Sequence, residues 1–235
     1  MVKRVLIVAV IMIVMAVIGV VATPTITNLV SQRGVTINTG DAADGYILFA
    51  PQRSLTTYLV DNNGSIINTW ESEYHPGRSV YLLDNGNLIR AGRIPAIGPV
   101  DGGGLGGRFE EFTWDGELVW SFEYYSETYH PHHDFIMMPN GNILFLVYEF
   151  ITPEEAISQG LNPELLPEDN PGIISDKIIE VDRTTNEIVW EWRLWDHLIQ
   201  DFDASLPNYG VIADNPQRMN VNYYRFPLVL HHSGS

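Results

Sequence analysis

The chain has 235 residues, no cysteine, and 13 basic against 29 acidic side chains, a formal charge of −16. The length fits one domain with a sizeable core, and the lack of cysteine excludes disulfide scaffolds, thiolate zinc sites and cysteine nucleophiles. The acid excess argues against a nucleic-acid partner, because a phosphate backbone would be repelled. Six Trp, 11 Tyr and 9 Phe exclude wholesale disorder, while 20 Gly and 14 Pro are typical of a turn-rich β protein.

The first predicted element is a membrane anchor. Lys3 and Arg4 precede an almost wholly apolar stretch from Val5 to Ala22. About 18 residues at 1.5 Å each span roughly 27 Å, close to the hydrocarbon thickness of a bilayer. The two cations ahead of this stretch predict a cytoplasmic stub over 1–4 and an extracytoplasmic remainder, at the cell surface or in the periplasm. We expect a transmembrane signal anchor over 5–25, the alternative being a cleaved signal peptide.

After a predicted linker over 26–44, the chain repeats with a period of about 55 residues. Residues 74–89 align without a gap with residues 129–144, and a second element occurs at 58–70, 112–122 and 179–192. Each element is a pair of β-rich runs around a polar turn, which is a strong hairpin signal. Two hairpins per period make a four-stranded unit, and a period of this length predicts β-propeller blades.

The predicted fold is therefore all-β, a partial propeller over 45–235 with about three to three and a half blades. A closed propeller generally needs at least four blades, because an open arc leaves unpaired edges. An insertion over 152–175 begins with Thr152-Pro153-Glu154-Glu155, which predicts an N-cap and a short helix. The glycine-rich segment 101–107 lacks Gly-Lys-Ser/Thr and leads into a strand, so we predict a flexible loop rather than a phosphate site. The predicted strands of the two complete blades are 78–84, 87–92, 108–114 and 117–123, then 133–138, 142–150, 177–182 and 187–193.

Histidines are concentrated where the repeats begin. His75, His130, His132 and His133 lie just before or at the first strand of their blades, the strand that lines a propeller's central channel. A cluster there binds an anion, exchanges protons or acts as a nucleophile; alternatively, these histidines cap turns and hydrogen-bond backbone carbonyls. His132, His133 and Asp134 are also zinc-ligand types. Adjacent strand residues point to opposite faces, however, so we expect His132 and His133 not to share a metal.

Tryptophans end the outer strands. Trp70, Trp120, Trp190 and Trp192 are expected to pack between blades. The segment Trp195-Asp196-His197 follows the last outer strand and is interpreted either as an Asp–His pair or, as its location favours, as a clamp between blades.

The ordered series of motifs resembles the arylsulfate sulfotransferase family over about residues 45–224. The resemblance implies an exported six-bladed propeller that moves a sulfuryl group from a phenolic sulfate to a phenol. In the family this transfer passes through a sulfohistidine, with no nucleotide sulfate donor and no cofactor. The motifs that carry the resemblance are His132-His133-Asp134-Phe135, Pro139-Asn140-Gly141-Asn142, Ile188-Val189-Trp190-Glu191-Trp192, Trp195-Asp196-His197-Leu198 and Asn208-Tyr209-Gly210.

The same resemblance suggests roles for the candidate residues. His132 and His133 match a channel histidine of the family and are the candidate catalytic residues. The internal repeat places Arg78 where His133 stands, so we expect Arg78 to hold an anion. The other candidate substrate-binding residues are His75, His130 and Asp134.

The family's nucleophilic histidine is expected in later blades, so His132 and His133 are expected to support sulfate binding or proton transfer. On this interpretation the enzyme needs further blades from another chain, from self-association or from a longer gene. The alternative is an inactive propeller fragment that serves binding or assembly through its open blade edges.

Overall fold

The computed structural model describes residues 35, 37–100, 103–166 and 172–223, and this part of the chain is nearly all β. One α-helix, α1, spans Pro153–Ser158, and short 3-10 turns lie at Pro163–Leu165, Leu194–His197 and Ile212–Asp214. The described strands are β1 (Tyr46–Phe49), β2 (Thr56–Asp61), β3 (Ile66–Glu71), β4 (Pro76–Leu82), β5 (Leu88–Arg93), β6 (Gly107–Phe112), β7 (Leu118–Glu123), β8 (Tyr129–Met137), β9 (Ile143–Ile151), β10 (Ile173–Asp182), β11 (Glu187–Arg193), β12 (Leu198–Ile199) and β13 (Met219–Asn220).

The strands form sheets in which each strand pairs with its neighbour in sequence. The first sheet has the order β1-β2-β3, the second β4-β5-β6-β7 and the third β8-β9-β10-β11. The second and third sheets are four-stranded and antiparallel throughout. This arrangement is consistent with propeller-like blades, and the described strands form no closed barrel. The predicted four-stranded unit is therefore confirmed.

The chain divides into two compact units, 1–47 with 60–67 and 48–59 with 68–235. In the described part of the first unit, Asn62 links two segments: its Nδ2 donates to Ala43 O at 2.8 Å, and its backbone O accepts from Asn38 Nδ2 at 3.1 Å. The second unit holds the second and third sheets, the helix and the main apolar clusters.

The second and third sheets pack face to face through a shared apolar core. Phe109 lies 2% exposed, and its ring centroid is 4.6 Å from that of Phe145 and 5.3 Å from that of Phe135. Ile89 of β5 and Ile179 of β10 complete the centre of this cluster. Each fully buried side chain of this kind contributes about 1.5–3 kcal/mol, so the face-to-face contact holds β8 firmly against the second sheet.

Two of the four outer-strand tryptophans pack between sheets as predicted. Trp70 is 1% exposed and its Nε1 donates to Thr113 O at 2.9 Å, while Trp120 Nε1 donates to Asn186 Oδ1 at 3.0 Å. The prediction is wrong for Trp190, which is 46% exposed on the side of the third sheet that is directed away from the second sheet. Trp192 stacks instead on His197, with 4.9 Å between ring centroids.

The segment Trp195-Asp196-His197 lies in the 3-10 turn Leu194–His197. Asp196 accepts a hydrogen bond from Arg193 Nη1 at 3.3 Å, while His197 faces Trp192, so the two side chains have separate partners. The Asp–His pair interpretation is therefore wrong.

The insertion between β9 and β10 begins as its sequence indicates. Thr152 is the N-cap of α1, and its Oγ1 accepts from Glu155 N at 3.2 Å. Ala156 and Leu161 pack with Leu198 and Val221 in a separate apolar cluster. The insertion therefore has a core of its own beside the third sheet.

The predicted stub over 1–4 and anchor over 5–25 lie outside the described residues, as does most of the predicted linker. Within the described ranges, no helix has the length and hydrophobicity needed to cross a membrane.

Candidate functional site

The candidate site is built on a bulge in the first strand of the third sheet. The β8–β9 register shifts between Pro131 and Phe135, and His133 within this interval has a φ of 53°. The second sheet carries a matching irregularity, with a register shift between Pro76 and Val80. Arg78 lies within that interval with a φ of 135°. Both repeats thus interrupt strand pairing at the same place, where a bulge redirects side chains.

The bulge brings His132 and His133 together. Their Nδ1 atoms lie 2.9 Å apart and their ring centroids 5.1 Å apart, with the rings nearly perpendicular. The expectation that the two rings point to opposite faces is wrong, because alternation holds only for regular strand geometry and His133 has left-handed backbone dihedrals.

His132 is held by two residues from the middle strands of the third sheet. Its Nε2 lies 3.0 Å from Asp176 Oδ1, and its ring stacks on Tyr148 with centroids 3.6 Å apart and planes 13° apart. His132 is buried, whereas the Asp176 side chain is 53% exposed. Burial raises the pKa of Tyr148, and the Asp176 charge raises it further, so this phenol stays protonated. Stacking on Tyr148 therefore fixes the plane of the His132 ring, and the hydrogen bond to Asp176 fixes the direction of Nε2 within that plane.

The hydrogen bonds determine which ring nitrogens carry protons. A carboxylate only accepts, so His132 Nε2 donates to Asp176 and, in the neutral ring, His132 Nδ1 is an acceptor. His133 Nδ1 must then donate to His132 Nδ1. This leaves the Nε2 atom of the exposed His133 with its lone pair directed away from the pair of rings. The hydrogen bonds therefore run from Asp176 through His132 to His133, and we call these three residues the Asp176–His132–His133 chain.

The glycine-rich segment after β5 lies against this cluster. His133 N donates to Gly104 O at 2.8 Å, Gly106 N donates to Pro131 O at 2.9 Å, and Leu105 forms a bridge with His132. The prediction of a flexible loop is therefore wrong for residues 104–106, which pair with β8. Gly104 has a φ of 80°, and a Cβ there would lie 2.7 Å from His133 Nε2. Glycine at this position keeps space beside that nitrogen.

Asp134 joins the two bulges. Its Oδ1 accepts from Ser79 Oγ at 2.6 Å, from Tyr81 Oη at 2.7 Å and from Phe135 N at 2.8 Å. Burial raises the pKa of Asp134, but these three hydrogen bonds outweigh it and hold the pKa below its usual range. Burial and the Asp134 carboxylate raise the pKa of Tyr81 to about 12. Ser79, the residue after Arg78, also donates to His133 O at 2.7 Å, so the β4 bulge is joined directly to the histidine pair.

The remaining candidate residues lie apart from this hydrogen-bonded chain. His130 is fully buried, with Nδ1 3.0 Å from Pro131 O and its ring 6.1 Å from that of Tyr125. His75 is exposed one residue before β4, and its carbonyl accepts from Arg93 N at 2.7 Å. The burial of His130 favours a structural role, and its contact with substrate stays a prediction. Within the described ranges, no three histidine or carboxylate side chains are grouped to hold a metal ion.

Four residues of this site were not among the candidates from sequence, namely Asp176, Tyr148, Ser79 and Tyr81. Asp176 follows the insertion, 44 residues after His132, and belongs to no local motif. Ser79 carries the clearest signal, because the repeat aligns it with Asp134, to which it hydrogen-bonds.

Comparison with protein families gives a match over residues 35–221 to the profile described as Arylsulfotransferase (ASST). The chain belongs to the arylsulfotransferase family. The matched region contains every described strand and every residue of the Asp176–His132–His133 chain. The family resemblance stated from the sequence motifs is therefore confirmed. A comparison with curated proteins finds no match. At the family level, this membership supports an arylsulfotransferase-like function.

Proposed function

We propose that this protein transfers a sulfuryl group from a phenolic sulfate ester to a phenolic acceptor, with His133 Nε2 as the atom that receives the group. The observation that carries the proposal is the Asp176–His132–His133 chain of hydrogen bonds, which directs one imidazole lone pair outward. This departs from the expectation that His132 and His133 only support a nucleophile elsewhere. A neutral imidazole is a competent nucleophile when a neighbouring base accepts its second proton.

In the first step His133 Nε2 attacks the sulfur of the donor, an N–S bond forms, and the S–O bond to the aryl group breaks with release of a phenolate. The ring of His133 would become cationic, so its Nδ1 proton passes to His132 Nδ1, 2.9 Å away. His132 becomes an imidazolium that is paired with the Asp176 carboxylate. The charge created by the reaction is thus moved to a preformed ion-pair partner.

The second step reverses the proton movement. The acceptor phenol oxygen attacks sulfur, the N–S bond breaks, and the electron pair returns to His133 Nε2. The acceptor's proton goes to the first phenolate or to solvent, and the Nδ1 proton returns from His132 to His133. His132 is therefore a proton relay, and Asp176 is a positioning residue that acts through it.

Anion recognition is proposed for Arg78, with His75 at the same end of β4. Arg78 is exposed in the bulge of β4, and Ser79 and Tyr81 tie that bulge to Asp134. A guanidinium matches the geometry of sulfate oxygens. A cation here also supplies local positive charge in a chain whose formal charge is −16.

The wider architecture belongs to the same proposal. We place the three sheets as blades of a six-bladed propeller, as the family resemblance implies, with the Asp176–His132–His133 chain at its channel. The apolar stretch over 5–25 supports a membrane anchor and an extracytoplasmic site, at the cell surface or in the periplasm. No nucleotide sulfate donor and no cofactor enter the proposed steps.

The activity test uses the full chain in detergent, 4-nitrophenyl sulfate as donor and phenol as acceptor. We expect release of nitrophenol that depends on phenol, and its loss in His133→Gln. His197→Gln is the matched control, since His197 stacks on Trp192 outside the site. Equal activity of the His133→Gln variant and the wild type would overturn the assignment of His133.

A non-catalytic assembly module remains the second candidate function. It is favoured by one observation: Trp190 is 46% exposed on the face of the third sheet that is directed away from the second sheet. Such an open aromatic side chain is typical of a surface that packs against a partner.

A further inference from the structure

The third sheet has an apolar face directed away from the second sheet. Two rows of cross-strand neighbours run across this face, Ile136–Leu144–Glu180–Trp190 and Leu146–Ile178–Trp192. We call these seven residues the outer face. Phe145 and Ile179, which alternate with them along the strands, point the other way into the core. A shallow pocket of about 210 Å³ lies over Leu144, Leu146 and Ile178.

The second sheet has the same two rows, and there they are covered. The rows are Tyr81–Ile89–Glu111–Trp120 and Ala91–Phe109–Phe122. The third sheet packs on them, leaving Ile89 0% and Phe109 2% exposed. At the rim, Arg183 pairs with Glu111 and lies over the Trp120 ring at 4.5 Å, and Asn186 accepts from Trp120 Nε1. The outer face therefore repeats a surface that this chain already uses for sheet-to-sheet packing.

On the third sheet the corresponding groups are open. Trp190 is 46% and Ile136 48% exposed. Glu180, the counterpart of Glu111, accepts from Asn142 Nδ2 at 2.7 Å, as Glu111 accepts from Asn87. The turn Leu194–His197 reaches a corner of this face, where His197 stacks on Trp192.

The chain also carries the complementary surface. In β2, Leu59 faces the core shared with Leu88, so its neighbour Tyr58 lies on the opposite face of the first sheet. Tyr58 stacks on Phe49 with 5.5 Å between ring centroids, and Phe49 is 41% exposed. In the repeat, Tyr58 takes the place of Ile179, which the third sheet buries against the second. Phe49 lies beside Tyr58 as Phe145 lies beside Ile179 on the neighbouring strand.

We propose that the outer face binds the Phe49–Tyr58 face of a second copy of this chain. The contact would reproduce the second-to-third sheet packing between molecules, with Ile178 in the place of Phe109 and Phe49 in the place of Phe145. The two faces differ, so the association is head-to-tail and produces a closed ring or a longer array. Cross-linking detects this association whether or not the protein transfers sulfuryl groups.

Engineered cysteines test the contact directly, because the chain has none of its own. The residues to be joined stand where Phe109 and Phe145 lie on two facing sheets, whose backbones are about 10 Å apart. A disulfide is too short for that distance, whereas a short bis-maleimide cross-linker spans it. Ile178→Cys and Phe49→Cys variants of the full chain are mixed in detergent and treated with this cross-linker. The control pairs Ile178→Cys with Ile97→Cys, since Ile97 is 58% exposed in the connection after β5.

We expect cross-linked dimer to be at least ~10-fold more abundant for the Ile178/Phe49 pair than for the control pair, because the contact raises the effective concentration of one thiol beside the other. Sedimentation of the wild type is expected to give species larger than the monomer, and Leu146→Asp is expected to return them to monomer. A wild type that stays monomeric at all concentrations would overturn the proposal. That result is expected if the outer face binds another part of the same chain or an unrelated partner. Equal cross-linking of the two pairs would overturn it as well.

Discussion

Two consecutive histidines on a strand share a hydrogen bond here because His133 leaves the regular β conformation. With a φ of 53°, His133 turns its ring toward His132 rather than to the opposite face, and the Nδ1 atoms meet at 2.9 Å. Non-glycine residues with such dihedrals cost of order 1–3 kcal/mol. The surrounding structure supplies the compensation through Gly104 O, which accepts from His133 N, and through the Asp176–His132 contact. Position in the fold, rather than residue type, brings the two imidazoles within hydrogen-bond distance of each other.

Replacing Asp176 by Asn tests the relay at one atom. The Asn amide has no charge to balance an imidazolium at His132, so we expect kcat to fall about 10²-fold with little change in KM. Asp176→Glu should restore part of the activity, and the pH–rate profile should change in the Asn variant. Asp196→Asn is the control, since Asp196 is also exposed and pairs only with Arg193 among the described residues. An unchanged kcat in Asp176→Asn would contradict the relay.

The Asp134 carboxylate predicts a pH dependence of stability. Hydrogen bonds from Ser79, Tyr81 and Phe135 outweigh burial and lower its pKa in the folded state. A lowered folded pKa means that the carboxylate stabilises the fold above its unfolded pKa of about 3.9, and that this stabilisation is lost as the pH falls through the folded pKa.

We therefore expect Asp134→Asn to lower the free energy of unfolding by about 1 kcal/mol at pH 7. The difference from wild type should shrink below about pH 4. Urea unfolding at several pH values measures it, with Asp115→Asn in an exposed turn as the control. A difference that stays constant down to pH 3 would show that Asp134 acts through packing rather than charge.

At the scale of strands and turns, the sequence repeat predicted the four-stranded sheets correctly. At the bulges it predicted the strand boundaries and the side-chain directions incorrectly. The Asn-Gly turns at Gly86 and Gly141, with φ of 85° and 88°, lie where the hairpin signal placed them. β8 begins at Tyr129, four residues before the predicted start, because pairing with β9 resumes on the far side of the bulge. Strand alternation therefore gave the wrong orientation for His133. Asp176 escaped prediction because the insertion separates β10 from the histidine motif.

The bulge of β4 provides a test of backbone strain. Arg78 has a φ of 135°, which glycine adopts readily and other residues do not. Arg78→Gly should raise the free energy of unfolding by about 1 kcal/mol, whereas Arg78→Ala keeps the strain and should change it little. Both variants lose the guanidinium, so KM for the donor should rise about tenfold in each. Equal stabilities of the two variants, measured by urea unfolding, would argue against strain at this position.

For the molecule as a whole, stability depends on sheets that pack against one another. Residues at equivalent positions in the repeat therefore contribute differently to the free energy of unfolding, according to whether a neighbouring sheet covers them. Trp70 is buried between the first and second sheets, whereas Trp190 lies on the open outer face. The sequence presents the two tryptophans as similar ends of outer strands. Only the three-dimensional arrangement, in which Trp70 is 1% exposed and Trp190 is 46% exposed, distinguishes them.

The contrast predicts unequal effects of truncation. Trp70→Ala should lower the free energy of unfolding by about 3–5 kcal/mol, because it opens a cavity and leaves Thr113 O without its donor. Trp190→Ala should lower it by no more than about 0.5 kcal/mol when measured on the monomer. Thermal or urea unfolding at low protein concentration separates them. A large loss in monomeric Trp190→Ala would mean that other residues of this chain cover the outer face.

The central claim is that the Asp176–His132–His133 chain makes His133 Nε2 the acceptor of the sulfuryl group. The most direct measurement is mass spectrometry of the full chain after incubation with 4-nitrophenyl sulfate and an alkaline quench. We predict an acid-labile sulfuryl adduct on His133, absent from His133→Gln and reduced in Asp176→Asn but not in Asp196→Asn. Nitrophenol release with an adduct on a different histidine, or with no histidine adduct, would contradict the account.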